Sequence, residues 1–330
     1  MWMVKNPVLI FTKRKKYVQK QEDLFHHWRK VRIQNQNQLK GVRQLRIGLT
    51  LPIDFLTDNA KCPSDVLWTE MFSTASSCLT YLGDQGVRSI EINKLTESTS
   101  PKLIRQAVDV ILRSGLEVTF HGWLPQDTRP GEMPGLFEAA ETALVGHDIT
   151  SAIPLTIHGH HVLEPLSQEQ ATTKTVADLT NFVEAFAGRR SLFVPTLEIC
   201  RAKLGGPVGV TYSELLAIAG QITSVPLSFC WDMGHSQINH TRQGHLPFPE
   251  PEFIKRTIHT HIHDINPDGS THGPLLGTDG YLKTSLTMLR DGGYQGVYNL
   301  ELYPLRWSDS LDHKTGLTMS INNLRKMVEN

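Results

Sequence analysis

Cysteine is scarce in this sequence, and long hydrophobic runs are absent. The four cysteines, Cys62, Cys78, Cys200 and Cys230, stand far apart and form no CxxC pair. This spacing argues against a zinc ribbon and against a disulfide framework. No apolar stretch approaches the roughly 20 residues that a membrane-spanning helix needs. We therefore expect a cytoplasmic protein without a membrane segment.

The formal net charge is zero, but the charge is unevenly distributed along the chain. Residues 1–46 hold twelve Lys or Arg and two Asp or Glu, a balance of +10, so the remaining residues carry −10. The hydrophobic pattern of this basic segment is weak, and we expect residues 1–44 to form a poorly ordered extension. The alternatives are a polyanion-binding arm and translated sequence upstream of the true start.

From residue 45 onward, short apolar or β-branched runs alternate with longer stretches of helical periodicity. The predicted strands are 45–51, 87–92, 116–121, 153–158, 192–199, 227–232, 258–264 and 297–302. The predicted helices are 66–82, Pro101–Arg113, 135–145, 167–187, 211–222, 282–290 and 317–328. The segment after the sixth strand is rich in Gly, Pro and His, and we interpret it as a loop.

Eight strand–helix units without a hairpin signal predict parallel strands joined by crossover helices. Eight is the number of units that closes a (β/α)8 TIM barrel, so we expect one such α/β domain over residues 45–330. A doubly wound open sheet is the competing fold. It usually carries a glycine-rich fingerprint after the first strand, and residues 51–53 have none.

Ionisable residues occupy the carboxyl ends of seven predicted strands. In chain order they are Glu91, His121, His158, Glu198, Asp232, the HIHD run at 261–264, and Glu301. Barrel enzymes place their chemistry at this face, because the strand ends and following loops converge there. Like charges that converge inside a barrel need a metal ion or a strong internal network to be tolerated. The pattern therefore predicts a metal site.

The residue types suit a divalent cation. Glu198, Asp232 and Glu301 supply hard oxygen atoms, and His261 supplies a borderline nitrogen. Glu198 and Glu301 lie in the apolar contexts PTLEIC and YNLELY, where an unpaired carboxylate would be costly. This mixture of ligands suits Mn, Mg, Co and Zn alike.

A structural role is the alternative for several of the histidines. His259, His261 and His263 recur with period two, so we expect all three to face the barrel interior. We interpret His259 and His263 as residues that fill the barrel or support a ligand. Packing or hydrogen bonding is the alternative role for His121.

Five short motifs in chain order resemble those of the xylose-isomerase-like barrels, which include sugar isomerases and epimerases and the apurinic endonuclease family. They are LEI at 197–199, WDMGH at 231–235, HIHD at 261–264, HGPLLGTDG at 272–280 and GGYQGVYNLEL at 292–302. The resemblance implies a metal ion held by Glu198, Asp232, His261 and Glu301. In the epimerase branch the two glutamates also move protons, and His235 would orient a substrate hydroxyl.

The endonuclease branch uses three zinc ions and additional histidines. His121, His158 and His235 match three of these positions, but Ser270 replaces the Asp that precedes His272. The chain also departs from the epimerases, because residues 266–267 replace an arginine that often follows the seventh strand. The candidates for additional metal or substrate contacts are His121, His158, His263, His272 and Glu91.

We favour a metal-dependent isomerase or epimerase of carbohydrate metabolism, acting on a sugar or sugar-like polyol with one divalent ion. The net acidic barrel disfavours a nucleic-acid backbone as partner. The alternative is a metallo-phosphodiesterase of the apurinic endonuclease type with up to three zinc ions. Its support is His121, His158 and the basic segment. A barrel that only binds a ligand is a third interpretation, against which the carboxylate set argues. The sequence predicts no oligomeric state.

Overall fold

The structure is a computed structural model that describes most of the chain beyond its basic first segment. The described residues are 45–95, 99–122, 133–149, 151–162, 166–186, 192–224, 227–277, 280–308 and 310–329. The predicted extension, residues 1–44, lies outside the described residues.

The strands form a closed parallel barrel in which each strand pairs with the next and β8 pairs with β1. They are β1 Ile47–Pro52, β2 Val87–Leu95, β3 Glu117–Gly122, β4 Ile153–Ile157, β5 Phe193–Glu198, β6 Ser228–Asp232, β7 Thr257–Ile262 and β8 Val297–Leu300. Every predicted strand overlaps one of these. The predicted (β/α)8 TIM barrel is confirmed.

Helices connect the strands on the outside of the barrel. The first six are α1 Ile53–Leu56, α2 Pro63–Phe72, α3 Ala75–Asp84, α4 Pro101–Arg113, α5 Met133–Leu144 and α6 Gln168–Phe186. The others are α7 Tyr212–Gln221, α8 Met233–Gln243, α9 Pro251–Arg256, α10 Gly280–Asp291 and α11 His313–Glu329, with a 3-10 turn at Pro304–Arg306. No helix in the described ranges is long and apolar enough to cross a membrane.

Helix α4 matches its prediction at both ends because the local signals are strong. The Ser100 hydroxyl accepts a hydrogen bond from the Leu103 N–H at 3.3 Å, and Pro101 occupies the first helical position. Gly115, just beyond the end, has a φ of 73° and takes the left-handed conformation that stops a helix.

The single helix predicted over residues 66–82 is wrong, because the structure has two helices there, α2 and α3. Ser73 separates them with a φ of 63°, a conformation that ends a helix. The next residue, Thr74, then caps α3 by accepting a hydrogen bond from the Ser77 N–H at 3.2 Å. The hydrophobic period runs through both helices, so periodicity alone did not reveal the break.

The loop predicted after β6 is also wrong, because α8 and α9 occupy this segment. Asp232 provides the missing start signal. Its Oδ1 atom accepts a hydrogen bond from the His235 N–H at 2.7 Å and so caps α8. Gly244, with a φ of 70°, ends the helix. This arrangement places His235 in the first turn, beside the end of β6.

A polar network occupies the middle of the barrel beneath the strand ends. Gly48 in β1 leaves room for it, because a Cβ atom there would lie 2.5 Å from Val297 and 2.6 Å from Asn299 Oδ1. The Asn299 amide donates to Thr50 Oγ1 at 2.8 Å, and the Thr50 hydroxyl donates to Glu91 at 2.9 Å. The barrel interior is therefore polar just beneath the carboxyl ends of the strands.

Candidate metal centre

The barrel brings the predicted site residues together in one interior region. Glu198, Asp232 and His261 are fully buried at the ends of β5, β6 and β7. Glu301 follows β8 directly, and its side chain is 12% exposed. These four are the predicted metal ligands, and their role as ligands stays a prediction.

Two histidine nitrogens connect these carboxylates. His261 Nδ1 lies 3.2 Å from Glu198 Oε2 and 3.2 Å from Glu301 Oε2. His235 Nδ1 lies 2.9 Å from Asp232 Oδ2 and 3.3 Å from Glu198 Oε1. Glu198 therefore lies at the centre of the group, with its two oxygen atoms facing different neighbours.

Each of the four predicted ligands has a buried polar atom without a hydrogen-bond partner of acceptable geometry among the described residues. The atoms are Glu198 Oε1, Asp232 Oδ2, His261 Nδ1 and Glu301 Oε2. A buried polar atom of this kind normally has a partner, and a bound ion is one common partner. The donor set of three carboxylates and one imidazole also fits Mn, Mg, Co or Zn. The residues present therefore fit a divalent cation.

Glu91 on β2 lies beneath His261 and holds its orientation. The Glu91 carboxylate is fully buried and accepts hydrogen bonds from His261 Nε2 at 2.9 Å and His259 Nε2 at 2.7 Å. With one proton held on His261 Nε2, loss of the proton on Nδ1 would leave the Nδ1 lone pair toward Glu198 and Glu301. This is the carboxylate–histidine arrangement that supports many ligating histidines. Glu91 thus contacts a predicted ligand.

The electrostatics of the region favour positive charge. Burial alone would raise the pKa of Glu198, but the nearby His158 and His261 outweigh burial and hold the pKa well below its usual value. Burial would lower the pKa of His235, but Asp232 beside it raises the pKa to about 10. The carboxylates are therefore ionised and hold protons on neighbouring rings. A divalent cation would compete with those protons, since metal ligands must be deprotonated.

His121 and His158 form a second group with Glu198. His121 Nε2 lies 3.1 Å from His158 Nε2, and the two nitrogens lie 3.4 Å and 3.0 Å from Glu198 Oε2. Burial alone would lower the pKa of His121, but Glu301 and Glu198 outweigh it and raise the pKa. Both sequence candidates therefore lie beside the predicted centre.

His263 and His272 belong to a third group, with Asp232 and His235. His263 Nε2 lies 3.2 Å from Asp232 Oδ1, and the His263 and His272 rings lie 4.4 Å apart. Burial and the neighbouring His263 lower the pKa of His272 to about 4. Ser270 does not join this group. Its hydroxyl donates to Asp268 Oδ1 at 2.7 Å, in the loop beyond the cluster.

Sequence reasoning missed the partners beneath the site. The sequence predicts that His259 fills the barrel or supports a ligand, and its Nε2 atom lies 2.7 Å from Glu91 Oε2, a partner that the sequence does not indicate. Thr50 and Asn299 also bond to Glu91, at 2.9 Å and 3.3 Å. The period-two histidine row predicts that these side chains face the barrel interior, which the contacts of His259 and His261 with Glu91 and of His263 with Asp232 confirm. Only the closed barrel reveals that Glu91, from a distant strand, is the partner of His259 and His261.

No protein-family profile matches the chain, and no curated protein matches it. Solved structures do match. A D-allulose 3-epimerase from Methylomonas sp. in complex with D-allulose is 15% identical with a TM-score of 0.58, over 86% of this chain and 98% of that one. A xylose isomerase domain protein from Alicyclobacillus acidocaldarius is 14% identical with a TM-score of 0.56, over 86% and 98%. The fold is that of the xylose-isomerase-like TIM barrels.

A 3-keto-D-glucoside 4-epimerase from E. coli, in its apo form, has the same barrel. It is 15% identical, with a TM-score of 0.56 over 86% of this chain and 99% of that one. The TM-scores show a common fold, and identities this low leave the reaction to be argued from the site.

Proposed function

We propose that the protein is a divalent-metal-dependent isomerase or epimerase that acts on a sugar or sugar-like polyol. The reaction would transfer a proton at a carbon next to a carbonyl group. The observation that carries this proposal is a pair of carboxylates, each 3.2 Å from the same nitrogen of His261. Glu198 is fully buried, and the side chain of Glu301 is 12% exposed. Each also has one oxygen atom without a hydrogen-bond partner among the described residues.

Each side chain has a role in this proposal. One carboxylate of the pair removes the proton from the substrate carbon, and the other delivers a proton to the opposite face of that carbon. His235, in the first turn of α8, orients a substrate hydroxyl. Glu198, Asp232, His261 and Glu301 would hold the divalent ion. When bound, such an ion polarises a carbonyl oxygen and stabilises the negative charge that develops on it.

The matched structures support this choice of substrate class. They include an epimerase bound to D-allulose and a 3-keto-D-glucoside 4-epimerase. Both act on carbohydrates, and both share the barrel that places side chains at the strand ends.

Proton exchange with solvent tests the proposal directly. The manganese-loaded protein is incubated in deuterated water with D-fructose, D-tagatose or D-allulose, and deuterium in the sugar is measured by NMR. We expect exchange in the parent protein and a loss of about 10²–10⁴-fold in Glu198→Gln and Glu301→Gln, since each removes an acid–base group. Glu70→Gln on the exposed face of α2 is the control and should retain exchange.

Circular dichroism should show that both site variants keep the barrel. Full exchange in folded Glu198→Gln and Glu301→Gln would contradict the assigned roles. No exchange with any ketose in the loaded parent protein would contradict the proposed function.

A second candidate function is a metallo-phosphodiesterase with up to three zinc ions. The observation that favours it is the triangle of His121 Nε2, His158 Nε2 and Glu198 Oε2, with edges of 3.1, 3.0 and 3.4 Å. Ligands bound tetrahedrally at about 2.0–2.1 Å from zinc lie at similar separations from one another. If this candidate is right, the zinc-loaded protein hydrolyses bis(p-nitrophenyl) phosphate, and His158→Asn loses that activity. Absence of hydrolysis in the loaded parent protein removes the candidate.

A further inference from the structure

We propose that Arg201, Arg242 and Arg306 bind a phosphate group of the substrate, so that the substrate is a phosphorylated sugar. The inference rests on the proposed function, because it names the substrate class of the same site. The three arginines belong to the segments that follow β5, β6 and β8. In a barrel of this kind those segments lie at the carboxyl face, where the proposed Glu198–Glu301 centre opens.

Each arginine follows a strand that leads to the proposed centre. Arg201 lies in the loop after β5, three residues beyond Glu198. Arg242 lies in the last turn of α8, which begins directly after β6. Arg306 ends the 3-10 turn after β8, five residues beyond Glu301. Since β5, β6, β7 and β8 are neighbours in this order, the three segments lie along one part of the barrel rim.

Hydrogen bonds hold α8 against the loop that carries Arg201. Asn239 Oδ1 accepts from the Ala202 N–H at 2.8 Å, and the Asn239 amide donates to the Cys200 carbonyl oxygen at 2.9 Å. The Gln243 amide donates to the Ala202 carbonyl oxygen at 3.3 Å. These bonds engage the residues on both sides of Arg201, so its backbone is held beside the last turns of α8.

The loop after β7 contacts the segments of the other two arginines. The Arg242 guanidinium donates to the Gly269 carbonyl oxygen at 2.8 Å. The ring N–H of Trp307, which follows Arg306, donates to the His272 carbonyl oxygen at 3.2 Å. Helix α8 and the 3-10 turn therefore both pack on this loop, and the arginines are arranged around it.

The three guanidinium groups act on one another, and none of them forms an ion pair with a described residue. Burial lowers the pKa of Arg201, and the positive charges of Arg242 and Arg306 lower it further. Among the described residues, the arginines with ion pairs are Arg46, Arg256 and Arg290. Residues 47–330 carry a net charge of −10, so this concentration of positive charge has the opposite sign to the domain that carries it. A concentration of this kind attracts an anionic ligand.

Surface charge without a ligand is the competing interpretation. Cations are favoured near the end of a helix, which accounts for Arg242 in the last turn of α8 but not for Arg201 or Arg306. The Arg306 guanidinium lies 4.7 Å from the centroid of the Tyr303 ring, a contact that leaves its N–H donors available. Asp268 is an acidic group near Arg306, and its Oδ1 atom accepts from the Ser270 hydroxyl at 2.7 Å. One carboxylate offsets at most one of the three positive charges.

The donors of the three arginines fit a phosphate group better than a carboxylate. Each guanidinium has five N–H donors and can pair with either group through two parallel hydrogen bonds. A carboxylate has one charge and two oxygen atoms, so one arginine is sufficient for it. A phosphate monoester carries a charge of about −1.5 to −2 and three acceptor oxygens. Binding of a phosphate remote from the reacting carbon would also help to orient that carbon between Glu198 and Glu301.

Binding of a phosphorylated and a neutral ketose tests the inference. Calorimetry on the manganese-loaded full-length protein gives the Kd of D-fructose 6-phosphate, D-fructose and inorganic phosphate. We expect D-fructose 6-phosphate to bind at least about tenfold more tightly than the other two, because each charged hydrogen bond contributes about this factor. Arg201→Gln, Arg242→Gln and Arg306→Gln should each weaken its binding about tenfold and leave the Kd of D-fructose unchanged. Arg256→Gln is the control, since Arg256 directly precedes β7 at the opposite face of the barrel.

Deuterium exchange into the same sugars separates this inference from the proposed function. Arginine-dependent binding of D-fructose 6-phosphate without exchange in any ketose would contradict the reaction and retain the phosphate site. Exchange in D-fructose with equal affinity for the phosphorylated and neutral sugars would overturn the phosphate site and retain the reaction. Unchanged binding in the folded arginine variants, or inorganic phosphate that binds as tightly as the phosphorylated sugar, would also overturn the inference. So would binding of a DNA duplex that Arg306→Gln weakens, in a protein that does not bind D-fructose 6-phosphate.

Discussion

At the scale of single residues, the site is arranged around shared atoms. Glu198 Oε2 lies within 3.4 Å of nitrogens from three histidines, His121, His158 and His261. Glu91 likewise accepts from His259 and His261 on one strand. Because each carboxylate orients several rings, replacing one should change the positions of several potential ligands. Double substitutions in this region should therefore be strongly non-additive.

Glu91→Gln tests whether Glu91 orients His261 for metal binding. Gln keeps the shape but replaces one acceptor oxygen with a donor. The new amide N–H would face either the donors Thr50 and Asn299 or the donor His259, so one set of hydrogen bonds to this side chain is lost. We expect metal affinity to fall by about 10–100-fold, the usual effect of removing a partner of a ligating histidine. Titration of the stripped protein with Mn²⁺ measures this. Glu117→Gln, on β3 at an exposed ion pair with Arg46, is the control, and equal affinity for the two variants would refute the role.

At the scale of the helices and strands, elements fixed by local sequence signals could be predicted, whereas contacts made only in the folded barrel could not. The cap of α4 and the alternation of β7 could be read from the sequence, because their determinants lie within a few residues. The sequence does not indicate helix α8, since its cap, Asp232, also ends a predicted strand and the segment that follows Met233 begins with Gly, His and Ser. The partners of Glu91 could not be predicted, because they lie on β1, β7 and β8 and meet it only when the barrel closes.

Two glycine substitutions in helices should have opposite effects on stability, because only one of the two glycines packs closely against another side chain. Gly234→Ala would place a Cβ atom 1.9 Å from the His263 ring, so the ring or the helix must move. We expect unfolding free energy to fall by about 1–3 kcal/mol, as in other overpacked interiors. Gly83→Ala in α3 meets no atom within 4 Å and should raise stability by up to about 1 kcal/mol through helix propensity. Urea denaturation measures both, and a Gly234→Ala variant as stable as the parent contradicts the packing argument.

A charged hydrogen bond joins helix α6 to the segment after β4, and its contribution to stability should depend on pH. Asp178 accepts from His160 Nε2 at 2.6 Å and from Lys174 Nζ at 3.1 Å. Burial alone would raise the pKa of Asp178, but His160 and Lys174 outweigh it and lower the pKa. A lowered folded-state pKa stabilises the protein above the unfolded value of about 3.9, and this stabilisation is lost as pH falls through the folded value.

Asp178→Asn keeps an acceptor oxygen but removes the charge. We expect unfolding free energy at pH 7 to fall by about 1 kcal/mol, and the difference from the parent to shrink as pH falls below about 4. Glu252→Gln breaks an exposed pair with Arg256 and serves as the control, with an expected change of at most about 0.5 kcal/mol. A difference that is constant between pH 7 and pH 3 would show that the charge is not the cause.

At the scale of the whole molecule, all eight strands of the closed barrel lie within the described residues, from Ile47 onward. Strand β1 begins at Ile47 and pairs with β2 and β8, and the Tyr298 N–H donates to the Arg46 carbonyl at 2.9 Å. We therefore expect a variant that lacks residues 1–44 to keep the thermal midpoint and the metal equivalents of the full chain. Differential scanning calorimetry and metal analysis measure these properties, and a lower midpoint would show that the segment belongs to the domain.

The same truncation tests the polyanion-binding alternative for the basic segment. The +10 balance of residues 1–46 predicts binding to a DNA duplex that weakens steeply with salt, because bound phosphates release their counterions. The barrel alone is net acidic, so it should bind DNA weakly at every salt concentration. Binding by the full chain that disappears on truncation would assign the segment a nucleic-acid role separate from the chemistry of the barrel. Equally weak DNA binding by the full chain and the truncated variant would contradict a nucleic-acid role for the extension. Its positive charge would then be insufficient for DNA binding.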